Sequence, residues 1–395
     1  MNRRQWLKCA GLAGMAGWLP AGCTRRETPS AVDPEPLIRF PGKVAMRAVN
    51  DRPPCLETPW RFYREDFTPN EAFYVRWHLQ AFPTAIDVNA WRLKLDGHLE
   101  RPLEFSMDDL RRMEPVTIAA VNQCSGNSRS LFGPRVPGAQ WRNGAMGNAR
   151  WTGVRLADLL QQAGLKAGAV DVAFDGLDEG PLPSVPDFVK SLAVDHARQP
   201  EVLVAYEMNG EPLPLLNGFP ARLVVPGWYA TYWVKALSRI TVLPQAYDGY
   251  WMAKAYKIPT APQAAEKPEA LTKELVPINR MNVRSFFTLP DMPVVQKAGQ
   301  PNPLERIAFD GGSGIRLVEV STDGGRQWQE ASLADDHGPF SFRRWRLAWT
   351  PNQTGEHRLM VRATNRDGDV QPTAAIWNRA GYMRNVIEEA VVQIG

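Results

Sequence analysis

Alternation of apolar and polar side chains predicts short β-strands along much of the chain. Residues 73–79 and 91–95 alternate in this way and are rich in β-prone types, and the second run ends at the turn sequence Asp96-Gly97. Further strands are predicted at residues 116–121, 170–174, 202–208 and 221–225. Between the last two, Asn209-Gly210 predicts a tight turn.

Two short helices are predicted among these strands. Ser106 precedes a helical run that reaches Met113, and Asp109 stands three residues after it in the pattern of a capping box. The second helix is predicted at residues 156–163 and ends at Gly164, because glycine readily adopts the backbone conformation that terminates helices. Few helices among many short strands favour an α+β fold over a doubly wound parallel sheet.

A change of pattern divides the chain into two main domains. Residues 258–276 are polar and rich in Pro, Ala, Lys and Glu, which predicts a linker. Beyond it, strands at 315–322 and 326–333 flank the turn Asp323-Gly324-Gly325, and others follow at 343–349 and 357–364. About seven such strands are typical of an immunoglobulin-like β-sandwich. This one lacks the cysteine pair of antibody domains.

The resulting division has five parts. Residues 1–30 are a leader, 31–70 an N-terminal arm, 71–257 the α+β domain, 258–276 the linker and 277–395 the sandwich. Residues 24–60, which include most of this arm, are rich in Pro and Arg and are predicted to be irregular.

The leader has the features of an export signal. Arg3 and Arg4 resemble the pair of the twin-arginine consensus, and a weakly apolar stretch rich in Ala and Gly follows as far as Leu19. That stretch is too short to span a bilayer, so we predict no transmembrane segment. We expect export of the folded protein to the periplasm, with an ordinary secretory leader as the alternative. Lipid attachment at Cys23 is a further alternative, although the proline before it fits a lipoprotein signal badly.

Charge and composition narrow the functional class. The 395 residues exceed one ordinary domain, and 44% hydrophobic with 22% charged residues is a globular composition. Three of the 46 basic side chains, Arg3, Arg4 and Lys8, lie in residues 1–22, and without this segment 43 basic side chains stand against 42 acidic ones. This near-neutral balance gives no support to a nucleic-acid partner, and any cationic site must be a local cluster.

The cysteines leave one candidate for chemistry. Cys9 and Cys23 lie in the leader, and the sequence contains neither Cys-x-x-Cys-His nor a cysteine cluster, so we predict no haem, zinc or iron–sulfur site in this chain. Cys124 lies where a predicted strand becomes a loop of small polar residues, whose backbone amides can stabilise a thiolate. Taken alone, it is better explained as a buried structural cysteine. Acyl transfer is disfavoured because no histidine base stands nearby.

Residues 122–129, Asn-Gln-Cys-Ser-Gly-Asn-Ser-Arg, resemble the molybdenum-ligand loop of the sulfite oxidase family. The resemblance continues in family order through residues 141–154, 205–210, 217–227 and 377–385, and it covers nearly all of residues 70–395. Residues 231–235 and 255–259 resemble the periplasmic bacterial branch, whose members pass electrons to cytochrome c. The resemblance implies a molybdopterin-binding domain followed by a sandwich through which a homodimer forms.

The resemblance also assigns cofactor contacts. Cys124 would be the protein ligand to molybdenum, beside the dithiolene of one pyranopterin, because thiolates are soft ligands. The matching cofactor-binding positions are Tyr74, Arg76, His78, Asp178, Asn217, Arg222, Trp233 and Lys235. Asn217 stands where animal sulfite oxidases have a histidine. Taken alone, Arg222 fits a surface strand arginine and His78 an unliganded histidine.

Catalytic roles follow from the same resemblance. They fall on Arg76, His78, Arg129, Tyr256 and Arg384. Sulfite is a dianion, so its site requires fixed positive charge, and Tyr256 would donate a hydrogen bond. Packing before the linker is the alternative for Tyr256, and a salt bridge at the sandwich edge is the alternative for Arg384.

The implied reaction transfers an oxygen atom to sulfite, and the electrons leave to a c-type cytochrome, either a separate protein or a bound subunit. Two other functions remain open. The same fold could act on nitrate, a sulfoxide or a sulfane on a carrier protein, although the sulfoxide reductases generally lack the sandwich. A secreted binding module with a remnant pocket is the second, and the intact Cys124 argues against it.

Overall fold

Residues 37–287 and 295–395 are described by the computed structural model, with the backbone alone described at Val295 and Gln296. The predicted leader, with Arg3, Arg4 and Cys23, lies outside the described residues. No helix in the described stretches is long and apolar enough to cross a membrane.

A four-stranded sheet begins the described chain. Its strands, in spatial order, are β1 (Leu37–Ile38), β2 (Met46–Asp51), β3 (Pro54–Glu57) and β4 (Val75–Arg76). The prediction of an irregular arm was therefore wrong for this segment, because every residue of β3 is buried between antiparallel neighbours. The predicted strand at 73–79 shortens to β4, since β3 offers it only two pairing positions.

Two further sheets build the α+β domain around a common core. The remaining strands are β5 (Leu93–Gly97), β6 (Leu103–Phe105), β7 (Val116–Gln123), β8 (Met146–Arg155), β9 (Asp171–Asp175), β10 (Lys190–Ala193), β11 (Leu203–Met208), β12 (Glu211–Pro212), β13 (Arg222–Val224) and β14 (Arg239–Leu243). One sheet has the order β10-β9-β14-β5-β6, with β14 and β5 parallel, and the other has the order β12-β11-β8-β7, with β13 on β11. The α+β prediction is confirmed.

Short helices connect these strands. The α-helices are α1 (Met107–Arg112), α2 (Leu156–Ala163), α3 (Val194–Ala197) and α4 (Tyr250–Ala253), and 3-10 turns span Trp60–Arg64, Arg129–Leu131, Leu215–Asn217, Ala230–Tyr232 and Pro262–Ala264. The predicted capping box is present, since the Ser106 hydroxyl accepts from the Asp109 amide and the Asp109 carboxylate accepts from the Ser106 amide. The predicted end of α2 at Gly164 is confirmed, with φ at 74°.

The predicted linker has strands at both of its ends. Strands β15 (Lys257–Pro259) and β16 (Leu275–Pro277) at its two ends pair antiparallel, and Ile258 is buried. Within it, the Glu266 carboxylate accepts from the Arg379 guanidinium at 3.0 Å. Because both ends and the middle are held, this segment is a structured connection between the domains.

The C-terminal residues form the predicted sandwich of two sheets. Its strands are β17 (Arg284–Ser285), β18 (Val295–Gln296), β19 (Leu304–Phe309), β20 (Ile315–Ser321), β21 (Gln329–Glu330), β22 (Ser332–Leu333), β23 (Arg343–Leu347), β24 (Gly355–Asn365) and β25 (Glu389–Ile394). The sheet orders are β17-β19-β23-β22 and β18-β25-β24-β20-β21. Trp345 and Leu359 lie in the core between them.

One predicted hairpin strand divides between the sheets. The predicted strand at 326–333 becomes β21, which pairs with β20, and β22, which pairs with β23. The division falls at Ala331, which is buried and whose amide donates to the Val318 carbonyl. A chain that crosses from one sheet to the other cannot continue a single ladder.

Replacing Ser106 by Ala removes one side of the capping box, and we expect it to lower the free energy of unfolding by about 0.5–2 kcal/mol. Thermal or urea unfolding of the two proteins measures the change. Ser184→Ala, at an exposed loop position, is the control and should leave stability unchanged. Equal losses in both variants would show that the capping contact contributes nothing.

Candidate active site

A pocket in the α+β domain brings together most of the predicted site residues. Those that line it are Tyr74, Arg76, His78, Cys124, Asn217, Arg222, Trp233, Lys235 and Tyr256. They come from β4, the loop after β7, β13 and the segments near them. Side chains far apart in sequence therefore share one cavity.

Cys124 lies in a loop that its own motif holds in place. Its amide donates to the Ala145 carbonyl at 2.9 Å, and its carbonyl accepts from the Asn127 amide at 3.0 Å. The Asn127 side chain accepts from the Ala145 amide and donates to Gln123. The thiol is buried and free. In the described residues, no group of three or more His, Cys, Asp or Glu side chains is arranged to hold a metal ion.

Positive charge surrounds the pocket, and few acidic side chains lie near it. Arg222 is buried, Arg76 and Lys235 are partly buried, and none of them forms an ion pair within the described residues. Their hydrogen bonds go largely to backbone carbonyls, for example from Lys235 to Arg76 at 2.7 Å and from Arg222 to Asn217 at 2.8 Å. Burial lowers the pKa of Lys235 to about 7, against the opposing effect of Asp178, and that of Arg222 to about 10. Such a pocket is suited to an anion.

Unsatisfied polar atoms also face this cavity. Among the described residues, the buried atoms Asn122 Nδ2, Ser125 Oγ, Thr231 Oγ1, Arg222 Nε and His78 Nδ1 have no hydrogen-bond partner. All five residues line the pocket. Because buried polar groups in folded proteins are nearly always paired, these atoms indicate a polar ligand. A pyranopterin, with a polar ring system and a phosphate, fits both the hydrogen-bonding groups and the charge.

His78 and Tyr256 form a hydrogen-bonded pair at the pocket. Phe188 stacks on the imidazole at 3.7 Å between ring centroids. Burial, with the charge of Arg76, lowers the pKa of His78 well below its usual value, and burial raises the pKa of Tyr256 despite Arg76. At neutral pH the pair is therefore a neutral imidazole and a neutral phenol. Tyr256 also has φ at 55°, a conformation that bulky residues avoid and that recurs at functional sites.

Arg129 does not line the pocket but lies close behind it. Its guanidinium donates to the carbonyls of Ala139 and Ala380 and lies 5.1 Å from the Tyr382 ring centroid. Tyr382 in turn stacks on Tyr256 at 5.6 Å. The glycines that leave room for Arg129 are Gly126, Gly138 and Gly381, where an added Cβ would lie 2.5, 2.7 and 3.0 Å from its side-chain atoms. This explains the glycine in the cysteine motif.

Arg384 and Asp178 also lie outside the pocket lining. The Arg384 Nε is 3.3 Å from the Glu388 carboxylate, which Arg284 shares at 3.1 Å. This ion pair holds Arg384 in the salt-bridged arrangement that was its alternative. Asp178 is buried beside Lys235; burial raises its pKa to about 6, although Lys235 opposes that rise.

Several site residues were missed from sequence. Asn122 and Ser125 stand inside the cysteine motif and Thr231 inside the segment 231–235, so their position was a usable signal. Tyr382 likewise stands inside the segment 377–385. Phe188 and Glu388 carried no such signal, because they reach the site through contacts across the fold.

Comparison with known proteins places the two domains. A model described as the oxidoreductase molybdopterin binding domain matches residues 79–251, and the Mo-co oxidoreductase dimerisation domain matches residues 276–394. Mitochondrial sulfite oxidase of Mus musculus is 34% identical over 93% of this chain and 68% of its own length, and sulfite oxidase of Gallus gallus is 32% identical over 90% and 78%. The chain spans about two thirds of the length of the mammalian relatives.

More distant relatives differ in their named activities. Nitrate reductase [NAD(P)H] of Hordeum vulgare is 30% identical over 88% of this chain and 41% of its own length. The solved sulfane dehydrogenase SoxCD of Paracoccus pantotrophus has the same fold, with a TM-score of 0.75 over 95% of this chain and 96% of that one, at 24% identity. With both domains matched and relatives above 30% identity covered over two thirds of their length, this chain belongs to the sulfite oxidase family of molybdopterin oxidoreductases.

Proposed function

We propose that the protein oxidises sulfite to sulfate at a molybdenum–pyranopterin centre and passes the electrons to a c-type cytochrome. The observation that carries the proposal is a pocket that combines the Cys124 thiol with the positive charge of Arg76, Arg222 and Lys235, none of which forms an ion pair within the described residues. Sulfite is a small dianion, and fixed cations in a desolvated site bind it through few contacts. Relatives at 34% and 32% identity are sulfite oxidases, which supports this substrate over nitrate.

Different pocket residues would bind different parts of the cofactor. When bound, the molybdenum–pyranopterin group supplies the two-electron oxygen-transfer chemistry. Cys124 would give it a thiolate, a soft ligand suited to the metal. Arg222 would grip an anionic group with its planar fork and Lys235 with a point charge. Asn122 and Thr231 would pair their free polar atoms with the pterin.

Other residues would act on the substrate. Arg76 lines the pocket and Arg129 lies behind Tyr256 and Tyr382, so both place positive charge where an oxyanion binds. Neutral His78 and the Tyr256 hydroxyl hold a proton between them at the same wall. Arg384 contributes from the second domain, with its charge partly balanced by Glu388.

The proposal also includes a homodimer formed through the sandwich and export to the periplasm. Residues 276–394 match a dimerisation domain, which supports a homodimer through this domain. The acceptor cytochrome would be a separate protein or a bound subunit in the periplasm.

The purified protein should contain molybdenum and reduce cytochrome c when sulfite is added. Turnover of nitrate or of a carrier-bound sulfane in place of sulfite would reassign the substrate.

Replacing Cys124 by Ser should leave a folded protein that still binds pterin but turns over sulfite at background level, because a hydroxyl is a poorer ligand for a soft metal. Metal analysis, pterin fluorescence and a sulfite assay measure the three properties. Cys55→Ser, at the other buried thiol, is the matched control and should keep its molybdenum. Near-native turnover by the Cys124 variant would contradict the assignment.

Replacing Arg129 by Met should weaken sulfite binding by about 1–3 kcal/mol, the range for a lost charge-assisted hydrogen bond, while molybdenum content stays normal. The loss should appear mainly in kcat/KM. Arg384→Met should act in the same direction. Arg346→Met, at an exposed sandwich position, is the control. Loss of bound molybdenum in the Arg129 variant would make this residue a cofactor contact instead.

Replacing Arg3 and Arg4 together by Lys should strand cofactor-loaded precursor in the cytoplasm, because the twin-arginine route requires the arginine pair and exports folded proteins. Cell fractionation with a molybdenum assay of each fraction measures the distribution. Unchanged export in a strain without the twin-arginine translocase would show that the protein leaves by another route.

A further inference from the structure

Lys43 is a buried lysine next to the pocket, in the segment that precedes β2. Its ammonium donates to the carbonyl oxygens of Asn70 and Phe73 at 2.7 and 3.0 Å, and to the Asn217 side-chain oxygen at 2.5 Å. It lies outside both matched family segments, 79–251 and 276–394, and 174 residues before Asn217. Nothing in the sequence singled it out.

Asn217 is held on both its backbone and its side chain. Its backbone carbonyl accepts from Arg222 at 2.8 Å, and its side-chain nitrogen donates to the Tyr74 carbonyl at 3.0 Å. An amide nitrogen carries two hydrogens, and the second has no partner among the described residues. Since Asn217 lines the pocket, that hydrogen is available to an acceptor on the bound cofactor.

The bond from Lys43 determines which end of the amide is available. With its oxygen engaged by an ammonium and one N–H by the Tyr74 carbonyl, Asn217 is fixed in the orientation that leaves its second N–H free. A charged donor also polarises the amide, which strengthens its remaining N–H as a donor.

Lys43 is also a buried charged group without an ion pair among the described residues. Its residue is 7% exposed, and no carboxylate of the described chain forms an ion pair with it. Burial lowers its pKa to about 7, although Glu71 opposes the shift. An unpaired ammonium in the interior is destabilising unless an anion lies nearby. The anionic cofactor of the pocket is the group that would offset it.

We propose that Lys43 is a positioning residue for the anionic pyranopterin, acting through Asn217. It fixes the amide so that an N–H faces the cofactor, and it adds positive charge to that wall. This inference rests on the proposed cofactor but not on the identity of the substrate.

The test measures how fast holoenzyme releases its cofactor. Holoenzymes of the wild type, Lys43→Met, Asn217→Leu and the double variant are held at one temperature below all their unfolding midpoints. Released pterin is followed by fluorescence after oxidation, and retained molybdenum by metal analysis. Loss of a residue that orients a ligand typically costs about 10- to 100-fold. We therefore expect each single variant to release pterin at least about tenfold faster, and the double variant to be no faster than the faster single one.

Two comparisons separate positioning from general stability. Lys43→Gln keeps a donor without the charge and should fall between the wild type and Lys43→Met; it replaces Lys43→Met in the cycle if that variant does not fold. Val361→Ala, in the sandwich core, should lower the unfolding temperature without changing pterin release. Wild-type release rates in the Lys43 variants, or additive effects in the double variant, would overturn the inference. Absence of pterin from the wild-type protein would instead overturn the proposed function. If the variants release pterin faster as expected but the wild type does not turn over sulfite, only the proposed substrate is overturned.

Discussion

Arg222, Lys235 and Lys43 carry positive charge into the protein around a single pocket, and none of them forms an ion pair with a carboxylate of the described chain. Removing such groups from water costs several kcal/mol each unless other charges compensate. Burial lowers the pKa of both lysines to about 7, although Glu71 opposes the shift for Lys43 and Asp178 opposes it for Lys235. A bound anion would offset the positive charge around this pocket.

The fold keeps these cations in position by giving each one a different support. Lys43 belongs to the segment before β2, Arg222 begins β13, and Lys235 lies before β14. Their donations to backbone carbonyls orient the side chains but do not neutralise them. Because sheets and turns fix these carbonyls, the three charged side chains are held in the interior and cannot turn outward to solvent. The N-terminal sheet is therefore part of the site, since its strand β4 carries Arg76.

The second domain takes part in the same arrangement. The Ala380 carbonyl accepts from Arg129, and the Met383 amide donates to the Ser125 carbonyl in the cysteine loop at 3.3 Å. Arg284 of the sandwich donates to Ser128 at 2.7 Å and shares Glu388 with Arg384. These contacts tie the loop around Cys124 to both domains. The segments that make these contacts therefore help to position the loop that carries Cys124, the proposed metal ligand.

Local patterns were sufficient for part of this structure. The capping box at Ser106, the end of α2 at Gly164 and the two-sheet sandwich depend on neighbouring residues and on alternation, which are visible in the chain itself. The resemblance around Cys124 likewise selected most of the pocket, because its members lie in recognisable motifs. Tertiary structure alone decided that the arm forms strands, that Arg384 pairs with Glu388, and that Lys43 reaches Asn217. Each of these outcomes depends on which side chains and strands the folded chain brings together. Possible partners compete for burial and for charge, and a local sequence pattern does not show which of them is chosen.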